Sequence, residues 1–246
     1  MKILLSNDDG FDALGIRKLR EILKKNNHDV FIVAPDKNQS ATSHSLTLTV
    51  PLRIRQMNKN EWMTTGTPTD CVLIATHGLI KQKMDLVISG INHGPNMGED
   101  VLYSGTVAAA MEGVMMGIPS VAFSLASFST LDFSGAEEVV IKLLRIVSEI
   151  KYRRMLLNVN IPNVSGSKVK GYKFTRLGSR VYTDTLITKK DPRGKKYYWI
   201  GGEKPSFKIK NGTDFQAIER NYVSITPISV DITDYKALSN LSRRRY

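Results

Sequence analysis

The amino-acid sequence predicts an α/β fold: a mostly parallel sheet in a three-layer sandwich, with helices on both faces and β-hairpins at its C-terminal end. Two observations predict it. Through about residue 165, apolar runs of strand length alternate with longer stretches of helical period. A β-α-β-α order is satisfied by parallel strands joined through crossover helices. Beyond residue 165 the pattern changes to short apolar and aromatic runs separated by Gly, Pro and Lys, which is hairpin chemistry.

Each element carries its own signal. Lys2–Ser6 opens with Ile3-Leu4-Leu5 and stops at polar residues, so it reads as a buried strand. Leu14–Lys25 places Leu14, Ile16, Leu19, Ile22 and Leu23 near helical spacing. Residues 30–34 form a β-branched strand stopped by Pro35. Residues 70–80 read as a helix, with Thr69 or Asp70 as its cap. Residues 86–89 are a second buried strand, ending in Gly90. Residues 104–116 are a small-residue helix, and 121–124 another strand. Residues 135–150 form an amphipathic helix with Val139, Val140, Leu143, Leu144 and Val147 on one face, and 155–161 a strand ending at Pro162. After the switch, residues 172–176, 181–187, 196–200 and 222–225 read as strands. Asp191-Pro192-Arg193-Gly194 is the turn between two of them. Residues 231–246 suggest a short terminal helix. The chain thus divides into a core over 1–165 and an extension over 166–246. An extended hairpin without its own core needs a partner surface, so an oligomer is expected.

Composition narrows the class. No apolar run approaches the ~18 residues of a membrane span, and Ile3-Leu4-Leu5 is too short for a signal-peptide core. A single cysteine, Cys71, excludes an intrachain disulfide and points to a buried apolar role. The cytoplasm is the expected location. The formal charge of +12 is unevenly placed: residues 1–150 carry 14 Lys/Arg and 16 Asp/Glu, residues 151–246 carry 21 and 7. The basic half is either a surface for polyanions or an ordinary solvated face. A nucleic-acid-binding module is the rival from another class, with Lys195-Lys196-Tyr197-Tyr198-Trp199 as its nearest stacking motif. There is no Walker A run, no G-x-G-x-x-G after the first strand and no His-rich zinc motif.

Parallel sheets bind ligands beyond the carboxyl ends of their strands, so the polar residues after each strand should converge. Asn7-Asp8-Asp9-Gly10 follows the first strand. Adjacent carboxylates repel unless a cation compensates them, and hard oxygen ligands select Mg²⁺, Mn²⁺ or Ca²⁺. The same four residues are also good turn chemistry. Residues 35–41 follow the second strand and are rich in small polar side chains, with Ser40, Ser43 and His44 as candidates. Ser89-Gly90-Ile91-Asn92-His93-Gly94-Pro95-Asn96-Met97-Gly98 describes a backbone that approaches a ligand closely, offering Asn92 and Asn96. Ser104-Gly105-Thr106 opens a helix with an N-cap serine, free N–H groups and hydroxyls, an anion site. Gly66-Thr67-Pro68-Thr69-Asp70 lines the same crevice or is a turn. Asp8-Asp9 lacks the D-x-D spacing of aspartyl-phosphate enzymes, so no covalent intermediate is expected.

Taken in order, five stretches resemble the survival protein E (SurE) family of nucleotidases. They are Ile-Leu-Leu-Ser-Asn-Asp-Asp-Gly from residue 3, Val-Ala-Pro-Asp-Lys-Asn-Gln-Ser with Ser-Leu-Thr-Leu after it, and Gly-Thr-Pro-Thr-Asp-Cys-Val from residue 66. Then come Val-Ile-Ser-Gly-Ile-Asn-His-Gly-Pro-Asn-Met-Gly running into Tyr-Ser-Gly-Thr-Val-Ala-Ala-Ala-Met-Glu-Gly, and finally Gly-Thr-Asp-Phe with Tyr-Val-Ser-Ile-Thr-Pro. The one small departure is Asn221, where the family commonly has Gly. The resemblance implies a Rossmann-like core with C-terminal elements exchanged between subunits of a dimer or tetramer. It implies one divalent ion, Mg²⁺ or Mn²⁺, on Asp8, Asp9, Ser40 and Asn92. It also implies a nucleoside 5′- or 3′-monophosphate substrate, with exopolyphosphatase as a side activity. Asp8 and Asp9 are then the catalytic carboxylates, and Asn96, Ser104, Gly105 and Thr106 the phosphate-binding residues.

Overall fold

A computed structural model describes residues 1–128, 131–150, 152, 154–181, 186–200 and 206–243, with Val181 and Ser206 as backbone only. In chain order the elements are β1 (Lys2–Ser6), α1 (Leu14–Lys25), β2 (Asp29–Pro35), β3 (Ile54–Asn58), β4 (Glu61–Thr64), α2 (Pro68–Ile74), β5 (Leu86–His93), α3 (Gly105–Met115), β6 (Ser120–Ala126), α4 (Ala136–Glu149) and β7 (Leu156–Pro162). The C-terminal part adds β8 (Tyr172–Phe174), β9 (Ser179–Val181), β10 (Leu186–Lys190), β11 (Lys196–Ile200), β12 (Ser206–Lys208), α5 (Asp214–Glu219), β13 (Val223–Ile228) and α6 (Tyr235–Ser242).

Nine strands form one sheet in the order β3-β4-β2-β1-β5-β6-β7-β13-β8. The central pairings are parallel, while β3 on β4 and β13 on β7 are antiparallel. Strand alternation sorts the core into two layers. Ile3 and Leu5 join Ile16, Leu19 and Leu23 of α1 and Val140 and Leu143 of α4 on one face. Leu4 turns to the other face, with Cys71 and Val72 of α2 and Ala109 of α3. The predicted three layers are therefore present. Burying each such aliphatic side chain contributes roughly 1.5–3 kcal/mol. α1 approaches β5 so closely that a β-carbon on Gly15 would lie 1.8 Å from the Ile91 carbonyl oxygen.

Several boundaries differ from the sequence expectation. The second helix starts earlier: Thr67 is its N-cap, its side chain accepting from the Asp70 N–H, Pro68 takes the first turn, and the Thr67 N–H donates to the Asp70 carboxylate. This capping box outcompetes Thr69 and Asp70 as caps because it satisfies two orphan donors at once. The helix then loosens into a π turn over Ala75–Leu79. β5 does not stop at Gly90 but runs to His93, with a register irregularity between Ser89 and Asn92. The strands β3, β4 and β12 and the helix α5 had no sequence signal in our reading.

The Asp191–Gly194 turn is present between β10 and β11. The Asp191 carboxylate accepts from the Arg193 and Lys195 N–H groups at 2.9 and 2.8 Å. That hairpin forms a separate two-stranded sheet with exposed side chains. The expected strand over 181–187 is only partly visible, because 182–185 lie outside the described residues; Arg244 and Arg245 do as well. The terminal helix is α6, capped by Asp234. Asn221 has φ of +60°. Glycine adopts that conformation freely and Asn tolerates it, so the departure from Gly is accommodated. Among the described residues no helix is long and apolar enough to cross a membrane.

Candidate metal and phosphate site

The carboxyl ends of β1, β2 and β5 and the start of α3 meet at one point. Asn7 closes the turn after β1 by donating from Nδ2 to the Gly10 carbonyl at 2.8 Å. The turn and the ligand readings of Asn7-Asp8-Asp9-Gly10 are thus compatible. Asp8 is 4% exposed and accepts a hydrogen bond from the Thr106 hydroxyl. A β-carbon on Gly105 would lie 2.8 Å from Asp8 Cβ, so only glycine admits α3 this close. The N-terminus of α3, with its unsatisfied N–H groups and positive dipole end, therefore faces the Asp8 carboxylate.

Burial pushes Asp8 up to about 6, against the Thr106 hydrogen bond and with a smaller push from the Asp9 charge. Asp9 accepts from the His93 main-chain N–H at 3.0 Å, and His93 Nδ1 lies 4.0 Å from the same oxygen. A buried carboxylate that resists ionisation, as Asp8 does, is stabilised by a cation, which reverses the local electrostatics. Asn92 donates from Nδ2 to the Gly94 carbonyl at 2.9 Å. This bond fixes the amide and leaves Oδ1 as a neutral oxygen donor. Ser40 follows Gln39, whose N–H donates to the Asp8 carbonyl at 2.7 Å. The loop carrying Ser40 is thus tied to the end of β1.

Among the described residues no group of three or more His, Cys, Asp and Glu is assembled for a metal. The donors that the sequence proposes here are two carboxylates with neutral Ser and Asn oxygens, carried by segments tied to Asp8 and Asp9 through Gln39 and His93. That chemistry fits a hard divalent ion that keeps part of its water shell. Ser104 caps α3, its Oγ accepting from the Val107 N–H at 3.1 Å.

Asn96 is placed differently from the others. It is 7% exposed, donates from Nδ2 to Ser124 Oγ at 2.8 Å and from its N–H to Asn160 Oδ1 at 2.9 Å. Its carbonyl accepts from the side-chain amides of Asn158 and Asn160. Asn96 thus ties the glycine-rich loop to β6 and β7. The reading from sequence missed Asn158, Asn160 and Ser124. The signal was present: Asn158 and Asn160 are spaced by two in a buried strand, so both face the same side. Asp214 was missed likewise. Fully buried, it accepts from the Gly98 and Gly178 N–H groups, both at 2.8 Å, and burial raises its pKa against those bonds. Cys71 is buried, as expected, and burial pushes its thiol up, so it is an inert core residue.

Known proteins resemble this chain over nearly its whole length. A family model described as survival protein SurE matches residues 3–184. A protein named 5′-nucleotidase SurE from Synechococcus elongatus is 46% identical, covering 98% of each chain. One of the same name from Xylella fastidiosa is 44% identical, covering 99% of this chain and 95% of the relative. The crystal structure of the SurE protein from Aquifex aeolicus superposes with a TM-score of 0.87 at 40% identity, covering 98% of both chains. With its fold, the family model and relatives over nearly the whole length in agreement, this chain belongs to the SurE family.

Proposed function

We propose that this chain is a divalent-metal-dependent 5′-nucleotidase, a phosphoric monoester hydrolase that also accepts 3′-monophosphates and, as a side activity, short polyphosphate. The relatives named 5′-nucleotidase support the substrate class. The observation that carries the site is the contact of Asp8 with Gly105 and Thr106, which sets a carboxylate pair against a helix N-terminus. Asp8, Asp9, Ser40 and Asn92 hold one Mg²⁺ or Mn²⁺, which when bound polarises a phosphoryl oxygen and acidifies water.

The chain's own residues do the rest. The N–H groups of Gly105 and Thr106 donate to the phosphoryl oxygens, with Ser104 holding that first turn, while the Thr106 hydroxyl donates to Asp8 and holds that carboxylate beside them. Asn96 shapes the opposite wall through its bonds to β6 and β7. The carboxylates take the proton from the attacking water. Asp9 is better suited than Asp8, whose oxygen already accepts from Thr106. We place the protein in the cytoplasm and treat residues 1–165 as the catalytic part. Residues 166–246 carry the surface for a dimer or tetramer.

The test is phosphate release from a panel of nucleoside monophosphates, with Mg²⁺ or Mn²⁺ and then with EDTA. Activity should vanish with EDTA. Asp9→Asn should lose at least ~100-fold at saturating metal while circular dichroism is unchanged. Near-normal turnover by that variant overturns the assignment.

A further inference from the structure

Residues 36–53 connect β2 to β3 without a helix or strand, an unusual length for a plain connector. Ala41 and Ser43 both lie in the left-handed region, at φ of 60° and 53°. Side chains resist that conformation, so neighbouring contacts must hold it. Ser43 donates from its N–H to the Tyr103 carbonyl and from Oγ to the Leu102 carbonyl, both at 3.1 Å. Thr67 Oγ1 donates to the Ser45 carbonyl at 2.8 Å, and the Thr47 N–H to Asp70 Oδ1 at 3.0 Å. Between these anchors, His44 Nε2 donates to Glu112 Oε2 at 2.9 Å.

Glu112 is the only charged residue of α3, and its side chain is 6% exposed. A buried carboxylate on a helix that carries no other charge is costly unless it is bonded, so this contact is strongly specified. The same helix binds Asp8 at its start through Thr106 and the Ser40 loop further along through Glu112. It therefore sets the distance between two proposed ligands that lie far apart in sequence.

We infer that His44 and Glu112 are positioning residues, a latch that holds the left-handed turn so that Ser40 faces the metal. This rests on the reading of Asp8, Asp9, Ser40 and Asn92 as a metal site. Contacts that orient a ligand without touching the metal are worth about 10–100-fold in metal affinity when removed.

The experiment titrates the full chain with Mn²⁺ and follows free Mn²⁺ by electron paramagnetic resonance, with melting curves recorded in parallel. His44→Ala should bind Mn²⁺ about tenfold more weakly, with a lower melting temperature because the buried Glu112 loses its partner. His44→Gln, which retains an N–H for Glu112, should restore most of that affinity. If His44→Ala does not reach the wild-type fold, the double variant His44→Phe with Glu112→Leu replaces it. It removes the bond while filling the space with apolar atoms, and it should show the same weakening. Wild-type affinity in the folded variant overturns the latch. A wild-type chain that binds no Mn²⁺ instead overturns the metal reading beneath it.

Discussion

The rim of the sheet and the C-terminal extension break the ordinary inside–outside rule in opposite directions. At the rim, polar groups are buried: Asp8, Asn96, Asn158, Asn160 and Asp214 are all below 8% exposed. In the β10–β11 hairpin, apolar groups are exposed: Leu186 is 62%, Trp199 62% and Ile200 91% exposed. The two departures have different physical costs. A buried polar group is tolerated where its hydrogen bonds are made, and most groups at the rim are bonded, with Asn7 Oδ1, Ser89 Oγ, His93 Nε2 and Asn158 Oδ1 as exceptions. An exposed apolar ribbon makes no such bonds and is unfavourable in water until another surface covers it. The rim is therefore read as a site for small ligands and the hairpin as a surface for a second copy.

That contrast is tested first at the support of the rim. Gly15→Ala forces a methyl group onto the Ile91 carbonyl, one residue from Asn92. It should cost on the order of 3 kcal/mol, seen as a melting temperature lower by roughly 6–12 °C. Tolerance of the alanine would mean that the rim is softer than its contacts imply. Asn160→Ala comes next. It orphans the buried Asn96 N–H and should cost about 2 kcal/mol, with a loss of phosphatase activity as the glycine-rich loop loosens. Denaturant unfolding and phosphate release measure the two effects. The smallest effect on protomer stability is expected in the hairpin. Trp199→Lys with Ile200→Lys should change it by no more than about 0.5 kcal/mol. The same pair should lower the sedimenting mass to that of a single chain. Unaltered mass would remove the hairpin from the interface.

The latch sharpens the same comparison from the rim side. His44 and Glu112 cannot be paired from sequence, because nothing in either segment marks the other. Glu112 alone was legible as an oddity, one carboxylate in an Ala- and Met-rich helix. Asn158 and Asn160 were legible in the same sense, as amides at period two in a buried strand. What they bond to, the loop at Asn96, was not. The strands β3 and β4 carry little sequence signal because β3 is the edge strand of the sheet and β4 is a four-residue strand next to it. There one face or both meet solvent, and the apolar run that marks a central strand is absent.

Local chemistry written into the sequence determined a good deal of this protein. Hydrophobic period set the alternating strands and helices, and with them the parallel sheet and the end of it where the polar loops gather. Adjacent carboxylates, a glycine-rich loop and an N-cap serine marked three of the loops at that end. Those features depend on residues close together along the chain. Only the tertiary structure decided how α3 lies: Gly105 against Asp8, Thr106 bonded to it, and Glu112 reaching the loop of Ser40. It also decided that Asn96 is held by β6 and β7. These contacts join residues far apart in sequence. Their geometry follows from how the layers pack, which no local pattern encodes.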